Sequence, residues 1–278
     1  MFAKHISVYD AVLKKQHQTN LTAHSQEDLD EKVKKWKTAK REEVALRRLE
    51  AAKELKETSI PSKDFSLEML DNGAVSVGLI GASRSGKSSC MKYIYKKYYR
   101  KHIGVMFSLS DHNEIYKDMS KKLIVANDFQ PSVLREMYLC NHGTSNKYKF
   151  VAILDDVNGG KSKSDQEVTR LLTLYRNSYI DAIICNQSPT LINAVGRANL
   201  NYICLFSFNS SSEIEKVIKF YLTAYFPTKM KMSEKIQLYK RLTENHSFFF
   251  LDNLAGTCHL CKLTPEQLAC EVDSDAEA

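Results

Sequence analysis

No run in the 278 residues is apolar over the roughly 18–20 positions needed to cross a bilayer. The opening MFAKHISVYD also lacks the apolar stretch of a secretory signal. These absences lead us to expect a soluble, intracellular chain with no membrane-spanning segment. The seven cysteines are odd in number and several, such as Cys90, Cys140, Cys185 and Cys204, fall in predicted strands and helices. No disulfide framework is implied, and the thiols read as small core hydrophobes in a reducing compartment. Cys258 and Cys261 have half the spacing of a zinc site, but no second pair follows at finger spacing. We read them as two core thiols in a terminal hairpin.

Glycine and proline are both missing from residues 26–57, which are dense in strong helix formers with opposite charges three and four positions apart. That predicts a long exposed helix. Its apolar positions (Leu29, Val33, Trp36, Val44, Leu46, Leu49, Ala52) keep no heptad, so it suits lying on a neighbouring body better than a regular coiled coil. Residues 60–64, IPSKD, break it. Hydrophobic residues make up 43% of the chain, enough for a sizeable core, and the net charge of +7 favours polyanionic partners. The basic runs at 32–41, 92–102 and 229–235 carry much of that charge and read equally well as solvated faces.

From about residue 68, short β-rich runs alternate with helical segments, the signature of βαβ units and a mostly parallel sheet flanked by helices. Strands are expected at 75–80, 103–109, 123–126, 149–155, 181–187 and 201–208, and a closing hairpin at 247–263. Helices are expected at 87–99, 131–140, 164–179, 190–198, 211–224 and 233–244. The expected organisation is a charged helical arm and linker (1–67), an α/β nucleotide-binding domain (68–263) and an acidic, disordered tail (264–278).

Gly81-Ala82-Ser83-Arg84-Ser85-Gly86-Lys87-Ser88 satisfies G-x-x-x-x-G-K-[ST] between a strand and a helix, with Ser89 following. Glycines let backbone N–H groups wrap a phosphate, the helix presents its positive end, and the lysine bridges the outer phosphates. Ser88 is placed to ligate Mg2+. The partner element should be an apolar strand ending in a carboxylate, and Phe150-Val151-Ala152-Ile153-Leu154-Asp155-Asp156 supplies it. Asp155 is expected to hold Mg2+, and Asp156 to orient or deprotonate an attacking water, which favours hydrolysis over transfer to a small molecule. The next strand ends Asn186-Gln187 at what should be the same sheet edge, where either amide could contact the terminal phosphate or the water; Gln187 is the expected sensor. Arg197, between a helix and the strand beginning at Asn201, suits an arginine finger supplied in trans or a surface arginine capping its helix.

The order of these parts resembles the genome-packaging ATPases of large double-stranded DNA viruses, the poxvirus-type branch of the FtsK/HerA superfamily. GASRSGKSS (81–89), VAILDDV (151–157), IICNQSPTLI (183–192) and GRANLNYICLF (196–206) carry the resemblance, which spans roughly 70–255. It implies a RecA-like ATPase core, ATP and Mg2+ as cofactors, a homo-oligomeric ring, double-stranded DNA as cargo and a capsid or portal-like viral protein as partner. It also implies action in the host cytoplasm or at a viral assembly site, or association with the virion. By the same resemblance Lys87 and Ser88 are the phosphate and Mg2+ ligands, Asp155 the Mg2+ aspartate, Asp156 the catalytic acid, Gln187 the sensor and Arg197 the trans finger. Many members carry Asp-Glu where this chain has Asp155-Asp156. No segment with clustered acids follows residue 208 to suggest a nuclease. The loop Gly159-Gly160-Lys161-Ser162-Lys163, next to the Asp-Asp strand, is the first candidate for sequence-independent contact with DNA phosphates. A nucleotide kinase, or a module in which nucleotide only switches partner binding, are the other readings of the phosphate loop. A kinase should show an arginine-rich lid and an acceptor pocket, and neither is evident.

Overall fold

The computed structural model describes residues 2–3, 6–10, 15–19, 22–23, 26–57, 60–70, 73–109, 116, 119–157 and 162–268. The chain divides into two compact units, Met1–Ser59 with Pro227–Met230, and Ile60–Phe226 with Lys231–Ala278. In the first, β1 (Phe2–Ala3) pairs antiparallel with β4 (Thr22–Ala23), and β2 (Ile6–Asp10) with β3 (Lys15–Thr19). These short pairs were not expected, since KQHQT carries no apolar alternation to signal a strand. The predicted arm helix is α1 (Gln26–Glu57), laced by pairs such as Lys32–Asp28 at 2.8 Å and Lys35–Glu31 at 2.7 Å, one turn apart.

The second unit follows the predicted alternation: β5 (Ser76–Ile80), α2 (Lys87–Ile94), β6 (Ile103–Ser108), β7 (Leu123–Ala126), α3 (Pro131–Gly143), β8 (Phe150–Asp155), α4 (Ser162–Thr173), β9 (Ile180–Asn186), α5 (Ala194–Ala198), β10 (Tyr202–Leu205), α6 (Ser211–Val217), α7 (Met232–Leu242), β11 (Phe248–Asp252), β12 (Thr257–Cys261) and α8 (Pro265–Leu268). The eight strands form one sheet in the order β12-β11-β10-β5-β9-β8-β6-β7. Pairing is parallel from β10 through β7, while the β11–β12 hairpin adds antiparallel strands at one edge. β5, β8 and β9 are buried along their whole lengths, as their unbroken apolar runs require of strands covered on both faces.

Four helices are several residues shorter than expected, among them α6, which gives way after Val217 to a π-helical turn, Ile218–Leu222. α2 continues as a π-helical turn, Tyr95–Tyr99, that buries both tyrosines. α4 stops at Thr173 before a 3-10 turn, Tyr175–Ser178, ending at the left-handed Tyr179. α5 begins only after Asn193, whose side chain accepts from Gly196 N at 2.8 Å and so caps it. Strand β10 also ends early, at Leu205, though Phe206 N still donates to Ile80 O at 2.8 Å. Phe65 packs edge-on against Phe248 and Phe250, each at 5.3 Å. Just before it, Ser62 bridges Leu260, which covers the open edge of β12.

At the amino end of β5, Val75 N donates to Asp181 Oδ1 at 2.6 Å. Burial pushes the Asp181 carboxyl up to about 7, opposed by its hydrogen bonds from Val75 and Tyr99. An acid whose folded pKa exceeds its unfolded value holds an extra proton in the folded state, so this group's stabilisation is full near about pH 4 and is lost as pH rises to about 7. Asp181→Asn keeps the acceptor and removes the titration. Denaturant unfolding between about pH 4.5 and 8 should show the wild type losing about 1–3 kcal/mol relative to the variant, and parallel pH curves would contradict the assignment.

Candidate functional site

The strand order decides what can meet. β9 lies between β5 and β8, with Ile80 beside Asn186 and Asp155 beside Cys185. The phosphate loop, the Asp-Asp turn and the Asn186-Gln187 end therefore share one carboxyl edge, where ligands of open α/β sheets bind. Gly81 N donates to Asn186 O at 3.1 Å and Ala82 N to Ser207 O at 2.9 Å, so the loop hangs from the ends of β9 and β10. Arg84 and Gly86 take left-handed φ values of 61° and 104°, turning the backbone before Lys87 opens α2. A Cβ on Gly81 would lie 2.5 Å from Phe206 Cβ and 2.8 Å from Ser85 Oγ. Ser83, Arg84, Ser88 and Ser89 are exposed.

Lys87 is buried, with Nζ donating to the carbonyls of Gly81 and Ala82 at 2.8 Å each. Burial lowers its pKa, and the charges of Asp156 and Asp155 oppose the shift. Asp155 is buried at the end of β8, where Oδ2 accepts from Ser108 Oγ and Tyr116 OH at 3.1 Å each. Burial raises its pKa and the Asp156 charge adds to this, while Ser108, Tyr116 and Lys87 pull it down. Tyr116 is held up chiefly by its own burial, against a hydrogen bond with Ser88. Its hydroxyl braces Asp155, one of the two residues proposed from sequence as Mg2+ ligands. Sequence reasoning missed both supports of Asp155. Ser108 could have been found as the polar end of β6, which runs beside β8, whereas nothing in the sequence marked Tyr116.

Asp156 takes a left-handed φ of 53°, and its N–H donates to Cys185 O at 3.0 Å. Gln187 Nε2 donates to Asp156 Oδ2 at 2.6 Å, so the expected acid and the expected sensor are joined. Asp156 Oδ1, both amide atoms of Asn186 and Ser85 Oγ are buried without a partner among the described residues. Three unsatisfied side chains around one loop mark a place where a ligand completes the polar network.

The structure does not bring Arg197 to this edge. Arg197 Nη1 donates to Ile192 O at 2.6 Å, and its guanidinium lies 4.7 Å from the Phe220 ring centre. Two residues on, Asn199 O accepts from Ser76 Oγ at the amino end of β5, opposite the phosphate loop. The core of the Gly159–Lys163 loop, residues 158–161, lies outside the described residues, as does the acidic tail from residue 269. Cys258 and Cys261 are buried thiols pushed up to about 12, and no group of three or more metal-ligating side chains occurs among the described residues.

A family model described as "Poxvirus A32 protein" matches residues 62–248, about two thirds of the chain. The chain belongs to the poxvirus A32 protein family. As a member of the A32 family it is a genome-packaging ATPase, a nucleotide-binding and ATP-hydrolysing enzyme. Among solved structures, the chain is similar to B204, the DNA-packaging ATPase from Sulfolobus Turreted Icosahedral Virus, at 18% identity and a TM-score of 0.53 over 69% of this chain and 99% of that one. It is also similar to the genome packaging NTPase B204 from Sulfolobus turreted icosahedral virus 2 in complex with AMP, at 16% identity and a TM-score of 0.52 over 70% and 100% of the two chains. At these identities the likeness establishes a shared fold. No curated protein sequence matches the chain.

The steric demand at Gly81 in the A32-family loop gives a direct test. Gly81→Ala should lower stability by about 1–3 kcal/mol and weaken binding of a fluorescent ATP analogue at least tenfold. Gly143→Ala, at the end of α3 and with an added Cβ that meets nothing within 4 Å, serves as control and should leave nucleotide binding unchanged without lowering stability. Thermal unfolding and nucleotide titration read both, and an unaffected Gly81→Ala protein would contradict the packing described.

Proposed function

We propose that this A32-family chain hydrolyses Mg2+-bound ATP at the β5–β9–β8 edge and uses the energy to drive double-stranded DNA into a preformed capsid. The observation that carries the reading is the joined pair of Asp156 and Gln187 beside the phosphate loop. Gln187 occupies Oδ2 of Asp156 and leaves Oδ1 able to accept a hydrogen bond from water, orient it and take its proton. Lys87 exchanges its loop carbonyls for phosphate oxygens and supplies charge where it develops. Asp155 and Ser88 fit Mg2+: one carboxylate and one hydroxyl are the hard oxygen ligands that this ion combines with phosphates and waters. Bound there, the ion would neutralise charge on the transferred group.

Arg197 acts on a neighbouring subunit in this reading, which makes the working form a ring of identical chains. Arg197 donates to Ile192 O and lies over Phe220, away from the chain's own loop, so action on a neighbour's site requires these contacts to be released. The net charge of +7 suits sequence-independent contact with the DNA backbone. A capsid or portal-like protein at the viral assembly site is the partner such a motor requires. Among the described residues no helix is long and apolar enough to cross a membrane.

ATP turnover should rise severalfold on adding long duplex DNA and fall at least about 100-fold in Lys87→Ala. Arg197→Ala should be inactive alone, yet mixing it with Lys87→Ala should restore part of the turnover, because each intact phosphate loop can then receive an arginine from its neighbour. DNA-indifferent turnover in the assembled wild type would contradict the motor reading. Absence of rescue in mixed assemblies would contradict the role in trans.

A further inference from the structure

The amino edge of the sheet, opposite the phosphate loop, carries exposed positive charge on four neighbouring strands. Parallel pairing sets β7, β6, β8 and β9 side by side, with Ile103, Phe150 and Ile180 in register and Leu123 facing Gly104. Lys101-His102 lead into β6, Lys121-Lys122 into β7, Lys147-Tyr148-Lys149 into β8 and Arg176-Asn177-Ser178-Tyr179 into β9. No acidic residue interrupts these segments. The five lysines and Arg176 are all exposed, and none pairs with a carboxylate among the described residues. Asp181, the second residue of β9, is buried, and Val75 N and Tyr99 OH donate to it instead of any of these cations.

The backbone holds the row in place. Ile103 N donates to Lys149 O at 3.1 Å, Gly104 N to Lys122 O at 2.9 Å and Phe150 N to Tyr179 O at 3.4 Å, so residues that carry or adjoin the cations belong to the sheet's hydrogen-bond ladder. Asn141, fully buried in the last turn of α3, adds a clasp. Its Nδ2 donates to Tyr148 O at 2.8 Å and to Ser178 O at 2.7 Å, and its Oδ1 accepts from Tyr148 N at 3.1 Å, tying the segment before β8 to the turn before β9. With about 4.8 Å between strands the row is about 14 Å wide, against roughly 6 Å for a minor groove, so its two ends can meet phosphates of both strands of a duplex. Lysine predominates, and compact charges on flexible stems neutralise phosphates whatever the base sequence.

We propose that this amino edge, from β7 to β9, is the surface on which duplex DNA is held by its phosphates. The proposal rests on the motor reading above and gives the cargo a place, at the starts of β8 and β9, whose other ends carry Asp155 and Asn186. Nucleotide and DNA, both polyanions, then occupy opposite edges of one sheet, and the buried strands between them are the rigid connection.

Fluorescence anisotropy with a long labelled duplex, run at several salt concentrations, tests the surface. Lys122→Gln/Lys147→Gln/Lys149→Gln should weaken binding at least about tenfold and lower the slope of log affinity against log salt by about 2–3, as the loss of three phosphate contacts requires. Lys219→Gln/Lys231→Gln/Lys240→Gln removes the same charge from exposed positions around α6 and α7 and should weaken binding less than about threefold. The ratio of ATP turnover with duplex to turnover without it should fall toward one in the first variant and keep its wild-type value in the second. Duplex binding by the first variant equal to the wild type's, or equal losses in the two variants, would overturn the surface while leaving the motor reading in place. Loss of poly-L-glutamate binding in the first variant with duplex binding kept would overturn it in favour of an acidic protein partner. A wild type that binds no duplex at any of the salt concentrations removes the motor reading and the surface together.

Discussion

Two consecutive carbonyls of β9 hold the site together. Cys185 O accepts the N–H of Asp156 and Asn186 O accepts the N–H of Gly81, at 3.0 and 3.1 Å. Backbone groups of successive strand residues point to opposite neighbours, so one strand grips the Asp-Asp turn on one side and the phosphate loop on the other. The spacing between Lys87 and the two aspartates is thereby fixed by sheet register instead of by flexible side chains. A one-residue slip of β9 would exchange the side chains packed on its two covered faces, so packing on both sides holds the register.

That rigidity lets the edge carry groups a looser structure could not keep. Lys87 and Asp155 are charged side chains taken out of water, each offset by hydrogen bonds and by the other's charge. Asp156 Oδ1, Ser85 Oγ and the Asn186 amide are buried without protein partners, at about 1–3 kcal/mol for each unsatisfied group. The fully apolar centres of β5, β8 and β9 offset this locally concentrated strain. Stability is held in the sheet, and chemistry is placed at its rim.

The phosphate loop was legible in the sequence because each of its requirements is local: positive φ at Gly86, close approach at Gly81 and a helix opening at Lys87. The ends of β8 and β9 were legible because strands buried on both faces read as unbroken apolar runs, so their first polar residues stand out. What the sequence hid depends on contact between distant segments. Tyr116 reaches Asp155 across 39 positions, and His246 meets Ser85 across 161. Neither separation leaves a periodic or motif signal. The strand pairs before α1 were hidden for another reason, since short polar strands lack the alternation by which a half-buried strand is recognised. Arg197 was visible as a candidate, but its engagement with Ile192 and Phe220 could be seen only once α5 and the turn after α6 were placed.

The β9 register makes Lys87 a binding group and Asp156 a chemical one within a single site. Asp156→Asn preserves size and the contact from Gln187 while removing the base. Single-turnover hydrolysis of prebound ATP, with affinity measured on the same preparation, tests the division. Affinity should stay within about threefold of wild type while the hydrolysis step slows at least about 100-fold. Hydrolysis at the wild-type rate, or loss of ATP binding, would contradict it.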